Sequence, residues 1–282
     1  MAAMAMLALT YVGCKGQEEP EGEGEGVEVV ADEMPETMTL KVGDAEFSLS
    51  RVDAGTFTIG PVAGDKNVTA DEKPAHKVDL TQRFYIGQTE VTQELYKAVM
   101  GTNPSKFSGA NLPVEQVSYN DAMEFCKRLS EQTGRTFTLP TEAQWEYAAY
   151  GGHRGTRTLY SGSDNIGTVG CYIGNAPDYL VFNTETNRYD TIRHTIAVAQ
   201  KQPNVLGIYD MTGNVREWCA DAWGPLSEAE VTDPVCTHGG ERVYRGGCCN
   251  DSAQYCRAAY REAISPSSKG FSIGFRLAIN ME

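Results

Sequence analysis

The sequence lacks the residue patterns that mark most catalytic and metal-binding sites. Its four histidines are scattered, and its eight cysteines form no CxxC pair and no cluster with histidine at zinc-ligand spacing. It also contains no GxSxG, no HExxH and no glycine-rich phosphate loop ahead of a helix. These absences argue against a zinc site, a serine hydrolase and a nucleotide-binding enzyme.

Basic residues are also scarce. The chain has 24 Lys and Arg against 38 Asp and Glu, which gives a net charge of -14. No stretch is basic enough to follow a phosphate backbone, so we do not expect nucleic-acid binding. The negative charge is concentrated between Lys15 and Ser50, where eleven acidic residues accompany two lysines. Such a segment stays solvated and extended, and we interpret residues 15–37 as an acidic flexible linker.

The N-terminal stretch MAAMAMLALTYVGC is apolar but too short to cross a bilayer as a helix. It resembles the apolar region and cleavage box of a bacterial lipoprotein leader, although no Lys or Arg precedes it. We predict a leader over residues 1–14 and a lipid anchor at Cys14, at the outer surface of a bacterial cell envelope. The alternative is a leader with an incidental cysteine. If Cys14 is acylated, seven cysteines remain, and they cannot all pair as disulfides.

Regular secondary structure is predicted mainly in the first half of the chain. Apolar residues alternate from Met38 to Gly60, which predicts strands. FYIGQTEVT predicts a strand that leads into a helix capped by Thr92. Two more helices are predicted in VSYNDAMEFCKRLSEQTG, with Cys126 on its buried face, and in LPTEAQWEYAAYGG, where Thr141 begins a capping box. About 130 residues without a helical period follow, so we predict an α+β domain with a loop-rich second half.

The segment from Arg245 to Arg276 follows no regular period. It reads RGGCCNDSAQYCRAAYREAISPSSKGFSIGFR and is rich in Tyr, Ser, Asp and Asn. Irregular segments of this composition are typical of binding loops, because Tyr offers large contact area and Ser or Asn offers adaptable hydrogen bonds. We therefore predict an exposed recognition surface on a rigid scaffold.

Several motifs in order resemble the formylglycine-generating-enzyme (sulfatase-modifying factor) family over about residues 50–280. They are TEVTQELYKAVMG, PVEQVSYNDAMEFCKRLS, TLPTEAQWEYAAYGG, LGIYDMTGNVREWCAD, YRGGCCN and GFRLA. The resemblance implies one domain over residues 38–282 with a variant of the C-type lectin-like fold. We expect two main helices and a small antiparallel sheet.

The resemblance also bears on catalysis. In that family, oxidation of a substrate cysteine depends on two cysteines five residues apart that hold copper. Here the second matching position is Cys256, but the first is Asp251, and a carboxylate cannot replace a soft thiolate for Cu(I). We therefore predict a non-catalytic protein that requires no cofactor. The alternative is a copper-dependent oxidase of sulfatase cysteines or another thiol, with Cys248, Cys249 and Cys256 forming the site in a shifted loop.

A second branch of the family, the variable proteins of diversity-generating retroelements, is similar at the frame RGG…N…CR…YR…P…IGFRLA. In these proteins template-directed mutagenesis rewrites codons between the frame positions. The resemblance implies a macromolecular ligand, which we expect to be a protein, bound by the variable residues. A fixed partner in a structural envelope lipoprotein is a further alternative. The implied ligand-facing positions are Cys249, Asp251, Ser252, Tyr255, Tyr260, Glu262, Ala263, Ile264, Ser268, Phe271 and Ser272.

Other motif residues have predicted structural or metal-binding roles. We expect the frame arginines Arg245, Arg257 and Arg276 to bridge loop carbonyls or carboxylates. We expect the tryptophans to bury their rings in the core rather than to stack on sugars. The resemblance implies a calcium site, the alternative being that the acidic residues cap a turn. Its ligands would be Asp210, Gly213, Val215 and Glu217.

Overall fold

The structure, a computed structural model, describes residues 34–281. The leader with Cys14 and the linker up to residue 33 lie outside the described residues, so their roles stay predictions. Met34 packs against the core, and the backbone carbonyl of Glu36 accepts a 2.8 Å hydrogen bond from the amide of Arg51. The described fold therefore begins a few residues before the predicted boundary at position 38.

In the first half of the described chain, five strands are followed by three helices, and the second half is mostly strand and loop. Within residues 34–281, no helix combines the length and apolarity needed to cross a bilayer. The elements in order are β1 (Thr37–Val42), β2 (Ala45–Val52), β3 (Gly55–Ile59), β4 (His76–Leu80), β5 (Phe84–Gly87), α1 (Gln93–Met100), α2 (Tyr119–Thr133), α3 (Glu142–Ala149), α4 (Ile166–Val169), β6 (Asp178–Asn183), β7 (Arg188–Arg193), β8 (Arg216–Ala222), β9 (Val231–Thr232), β10 (Arg242–Arg245), β11 (Glu262–Ile264), β12 (Ile273–Gly274) and β13 (Ala278–Asn280).

The three helices predicted in the first half are confirmed, including the predicted starts at Thr92 and Thr141. α1 begins after Thr92, whose side chain accepts the amide of Leu95, and ends at Gly101. Gly101 has a φ of 78°, in the left-handed region that glycine adopts without a Cβ clash. α3 begins with the predicted capping box. Cys126 is buried on α2, as predicted for a small apolar residue.

The predicted α+β, loop-rich fold is confirmed, and its strands form four sheets rather than one small sheet. The first has the order β1-β2-β5-β13, so the last strand pairs with the first half of the chain. The second has the order β11-β10-β8-β12 and contains a parallel pair between β8 and β12. The third is β3-β4-β9, and β6 and β7 form a separate hairpin. The second sheet carries the segment from Arg245 to Arg276.

Two large hydrophobic clusters form the core. One packs α1 and α2 against the first sheet, and in it Phe275 lies 5.2 Å from Phe125 between ring centroids. The other packs α3 against strands of the second and third sheets around Trp145. Trp218 is fully buried as well, and its indole nitrogen donates to the carbonyl of Val117 at 3.0 Å. Burial of these two tryptophans confirms their predicted core role.

We expect Phe275→Ala to lower the free energy of unfolding by about 3–5 kcal/mol, because it removes a fully buried ring from the first cluster. Met123→Ala on the exposed side of α2 is the matched control and should change it by no more than about 0.5 kcal/mol. Urea unfolding of both variants measures the difference. Equal effects of the two substitutions would contradict the assignment of Phe275 to the core.

Candidate ligand-binding surface

The segment from Arg245 to Arg276 folds back across the second sheet in an irregular path. It leaves β10 through Gly246 and Gly247, whose φ values of 91° and 67° lie in the left-handed region. A Cβ on Gly247 would come within 2.6 Å of the Tyr255 carbonyl oxygen, so only glycine fits this close approach. The chain then forms a 3₁₀ turn at Ala253–Cys256, strand β11 and strand β12. The turn is therefore pressed tightly against the start of the segment.

Arg245 joins the segment to α3. Its guanidinium is fully buried and pairs with Glu142 at 3.2 Å and with Glu146. It also donates to the carbonyls of Ala258 at 2.9 Å and Ala259 at 3.2 Å. These bonds satisfy backbone carbonyls of the segment that have no strand partner, as expected for a planar fork with five donors.

Arg257 joins the segment to the loop before β4. It donates to Asp65 at 2.5 Å, to both oxygens of Glu72 at 2.7 Å and to the carbonyl of Asn67 at 2.8 Å. The burial of Glu72 by itself would raise the pKa of its carboxyl. Hydrogen bonds from Arg257 and Thr69 outweigh burial and hold the pKa of Glu72 below its ordinary value of 4.5.

Arg276 joins the end of the segment to β8. It donates to the two oxygens of Glu217 at 2.5 and 2.6 Å and to the carbonyls of Gly87 at 2.8 Å and Tyr209 at 3.0 Å. Glu217 also accepts the indole N–H of Trp145 at 2.6 Å. The bridging roles predicted for Arg245, Arg257 and Arg276 are thus confirmed.

A fourth buried arginine, Arg261, was missed by sequence reasoning. It donates to both oxygens of Glu142 at 2.6 and 2.7 Å and to the carbonyl of Asp71 at 3.0 Å. Its guanidinium carbon lies 4.7 Å from the ring of Trp223, which is half-buried rather than a core residue. Arg261 belongs to the YR dipeptide of the sequence frame, but its contact with α3 depends on the fold.

Ten of the eleven implied ligand-facing residues have solvent-accessible surface. Ser252 and Tyr255 are exposed, and the other eight are half-buried. Tyr255 and Tyr260 form an edge-on ring pair with centroids 5.2 Å apart. The predicted ligand-facing position of Cys249 is wrong, because its side chain has no exposed surface and packs against Cys171 and Ala176. Whether the ten accessible residues bind a ligand stays a prediction.

The hairpin of β6 and β7 lies beside this surface. The side-chain amide and carbonyl of Asn250 bond to the backbone of Arg193 at the hairpin's end. Phe107 contacts the rings of both Tyr179 on β6 and Phe271, with centroids 5.0 and 6.0 Å away. The opposite face of the hairpin carries exposed apolar side chains, namely Leu180, Phe182 and Tyr189. No pattern in the sequence had indicated this hairpin.

The two carboxylates implied for a calcium site have other hydrogen-bond partners in the structure, and a calcium role for them stays a prediction. Both oxygens of Glu217 are held by Arg276 and Trp145. Asp210 accepts the amide of Ala199 at 2.7 Å, and burial raises the pKa of Asp210 to about 6. Among the residues that the structure describes, no three His, Cys, Asp or Glu side chains are grouped to hold a metal ion. The carboxylates at Asp210 and Glu217 instead form part of the buried hydrogen-bond network.

A buried acid next to this network, Glu90, was also missed. Its carboxylate accepts the side-chain amide of Asn214 at 2.7 Å and the backbone amide of Val215 at 3.0 Å. Burial raises the pKa of Glu90, and the nearby charges of Asp210 and Glu217 raise it further. Glu90 thus fixes the turn that includes Gly213 and Val215, positions that the resemblance had implied as calcium ligands.

The three cysteines of the segment are buried thiols. Cys248, Cys249 and Cys256 have no exposed surface, and the Cys256 sulfur lies 3.9 Å from the Cys248 carbonyl oxygen. Burial raises the pKa of Cys256, and a hydrogen bond with Cys248 together with burial raises that of Cys249. A raised pKa favours the protonated thiol over the thiolate that copper needs. Asp251, at the implied position of the first catalytic cysteine, pairs with Arg216 at 2.6 Å.

Comparisons with known proteins agree with the fold and the frame. The profile of the sulfatase-modifying factor enzyme 1-like domain matches residues 40–281. The chain is 36% identical to a formylglycine-generating enzyme of Streptomyces coelicolor over 81% of this chain and 88% of that protein. It is 32% identical to the chaperone protein LppX of Paenibacillus barcinonensis over 80% of this chain and 87% of that protein. The structure of Treponema denticola variable protein 1 is similar with a TM-score of 0.73 and 30% identity, covering 88% of this chain and 100% of that one.

We expect Arg257→Gln to lower the free energy of unfolding by about 3–5 kcal/mol near neutral pH, because it leaves Asp65 and Glu72 buried without their cation. The lowered pKa of Glu72 stabilises the fold above pH 4.5, and this contribution is lost as pH falls through the folded-state pKa. In the variant the orphaned carboxyls should bind protons more readily. Its deficit relative to the parent should therefore shrink from about pH 8 to about pH 5.

Urea unfolding at several pH values measures this deficit. Ser252→Ala in the same segment is the control, because Ser252 is exposed and its hydroxyl makes no capping hydrogen bond. It should change stability by no more than about 0.5 kcal/mol at any pH. A deficit in Arg257→Gln that is equally small, or that stays constant with pH, would show that the ion pair does not hold the segment.

Proposed function

Because the chain belongs to the sulfatase-modifying factor enzyme 1-like family, we propose that it uses this scaffold for binding, as a surface-displayed protein with a hypervariable C-terminal ligand site. One observation carries the proposal. In the segment from Arg245 to Arg276, four buried arginines hold the chain in place, and ten of the eleven implied ligand-facing positions are accessible. Residues at accessible loop positions can change without loss of core packing, which is what a diversified binding site requires.

The ligand we propose is a macromolecule, with a protein as the favoured class. The ten accessible positions spread along the segment rather than converge on one deep pocket. A cleft of about 310 Å³ opens where Tyr260 and Glu262 meet Trp223, and this is at the small end for a drug-sized ligand. Tyr255 and Tyr260 are the proposed anchors, because paired aromatic rings give large contact area at low cost in side-chain entropy.

The proposal also includes display of the protein at the cell surface. Lipid attachment at Cys14 would hold the protein at the bacterial envelope, and the acidic linker over residues 15–37 would separate the domain from the membrane. The similarity to Treponema denticola variable protein 1 supports the proposed use of the domain as a variable protein, since the similarity extends over the whole of that chain.

If codons of the segment are diversified, the genome should carry a near-copy of the gene's 3′ end close to a reverse-transcriptase gene. The two copies should differ mainly where the near-copy has adenine, and the differences should fall in codons for the ten accessible positions. Codons for Arg245, Arg257 and Arg276 should be identical in both copies. Genome sequencing tests this prediction directly. A genome without such a copy, or sister strains with unchanged residues at 249–272, would instead indicate a fixed envelope partner.

The alternative function is copper-dependent oxidation of a cysteine in sulfatases or of another thiol. The burial of Cys248, Cys249 and Cys256 near one another is the observation in its favour. Against it stand the raised pKa of Cys256 and the pairing of Asp251 with Arg216. We expect copper titration to leave a CxPxR-type peptide unmodified in mass spectra. Formylglycine formed by the parent chain and lost in Cys256→Ser would overturn the binding proposal.

A further inference from the structure

Arg216 lies under the centre of the proposed variable surface, although it precedes the segment in sequence. It is the first residue of β8, and its amide donates to the carbonyl of Ser272 at 2.8 Å. One terminal nitrogen of its guanidinium donates to the Ser272 hydroxyl at 3.0 Å, and the other to Asp251 at 2.6 Å. Its Nε lies 3.9 Å from a carboxylate oxygen of Glu262. Three of the accessible variable positions therefore meet at one guanidinium.

The guanidinium is largely but not completely covered. The Arg216 side chain is 19% exposed, and its guanidinium carbon lies 5.6 Å from the ring centroid of Tyr244. Its Nε is buried and makes no hydrogen bond within the described residues. An arginine has five donors, and a buried donor without an acceptor costs free energy, so this cation can still gain from a better-placed anion.

The two acidic neighbours differ in how firmly they hold the cation. The Asp251 side chain is 13% exposed, and its second oxygen accepts the backbone amide of Cys248 at 2.9 Å, so its position is fixed from two sides. The Glu262 side chain is 41% exposed and lies beyond hydrogen-bond distance of Arg216. Two carboxylates thus share one guanidinium, and these three side chains together carry one excess negative charge.

We propose that Arg216 is a specificity-determining residue of this surface, a fixed cation whose access to a ligand is set by the residues at positions 251 and 262. With Asp251 and Glu262 the guanidinium is occupied, and the excess charge favours a cationic group on the partner. With neutral residues at both positions the fork is open to an oxyanion, either a carboxylate or a phosphate. Substitution at two positions then reverses the charge that the surface selects.

This inference rests on the proposed function in one respect, namely that the residues at positions 251 and 262 vary. The oxyanion site itself depends on Arg216 and on the fold of β8. Lys at position 216 would keep the charge but lose the planar pair of donors that matches two oxygens. We therefore expect Gln or Lys at position 216 to lose the affinity for an oxyanion, although either residue can keep the fold.

The experiment uses the full chain and two small probes, inorganic phosphate and acetate, measured by calorimetric titration. We expect Asp251→Asn combined with Glu262→Gln to bind at least one probe about tenfold more tightly than the parent chain. Addition of Arg216→Gln should abolish the gain. The probe with the larger gain identifies the oxyanion as phosphate or carboxylate. Melting temperatures confirm that each variant is folded, and Asp251→Ser with Glu262→Thr replaces the first pair if that pair does not fold.

The matched control removes two exposed acids elsewhere, Asp44→Asn with Glu131→Gln, and changes net charge by the same amount. It should give no gain in affinity for either probe. An equal gain in this control, or a gain that persists in the Arg216→Gln background, would overturn the proposal. The proposal would be overturned as well if neither double variant at positions 251 and 262 gained affinity for a probe. A missing gene copy would remove the proposed hypervariability without affecting these titrations, so the two failures can be told apart.

Discussion

The architecture of the C-terminal segment depends on buried arginine–carboxylate pairs. The segment from Arg245 to Arg276 has too little regular structure to satisfy its own backbone groups, which are costly to bury without partners. Arg245 and Arg257 bond to carbonyls of the chain and to carboxylates of the first half of the protein. Such pairs gain little over well-packed apolar residues, but breaking one leaves an uncompensated buried charge. Their main contribution is thus to fix one path for an irregular chain.

The same pairs separate the interior of the segment from its accessible side. Frame arginines and alanines such as Ala258 face the core, while Ser252 and Tyr255 between them face solvent. A side chain such as Ser252 or Tyr255 can change without opening a cavity, because the packing beneath it comes from other residues. Arg216 limits this independence, since Asp251, Glu262 and Ser272 all contact it. Their effects on binding are therefore expected to be coupled rather than additive.

Local signals in the sequence were sufficient for part of this structure. The N-caps of α1, α2 and α3 and the glycine ends of α1 and α2 depend on residues within a few positions, so they could be predicted. β8 was not recognised, because it is buried on both faces and shows no alternation of apolar and polar residues. Its partners in the second sheet also come from distant parts of the sequence.

The candidate surface shows the same division between local and distant information. Family resemblance assigned bridging roles to Arg245, Arg257 and Arg276, and the contacts agree. Family resemblance could not give the direction of a side chain within the loop. Cys249 was therefore predicted to face a ligand, although it packs against Cys171. Arg216 and Arg261 were missed because each acquires its role through residues far away in sequence, with Glu142 lying 119 positions before Arg261.

The carboxylate at position 251, where the family resemblance implies a thiol, links the fold to its proposed use. A thiolate suits a soft metal ion, whereas a carboxylate suits a guanidinium, and one side chain cannot serve both. Asp251 bonds to Arg216 on one side and to the amide of Cys248 on the other. It thereby closes the loop over Cys256, whose burial favours the protonated thiol. The contacts that order this part of the proposed binding surface are thus the contacts that oppose copper chemistry there.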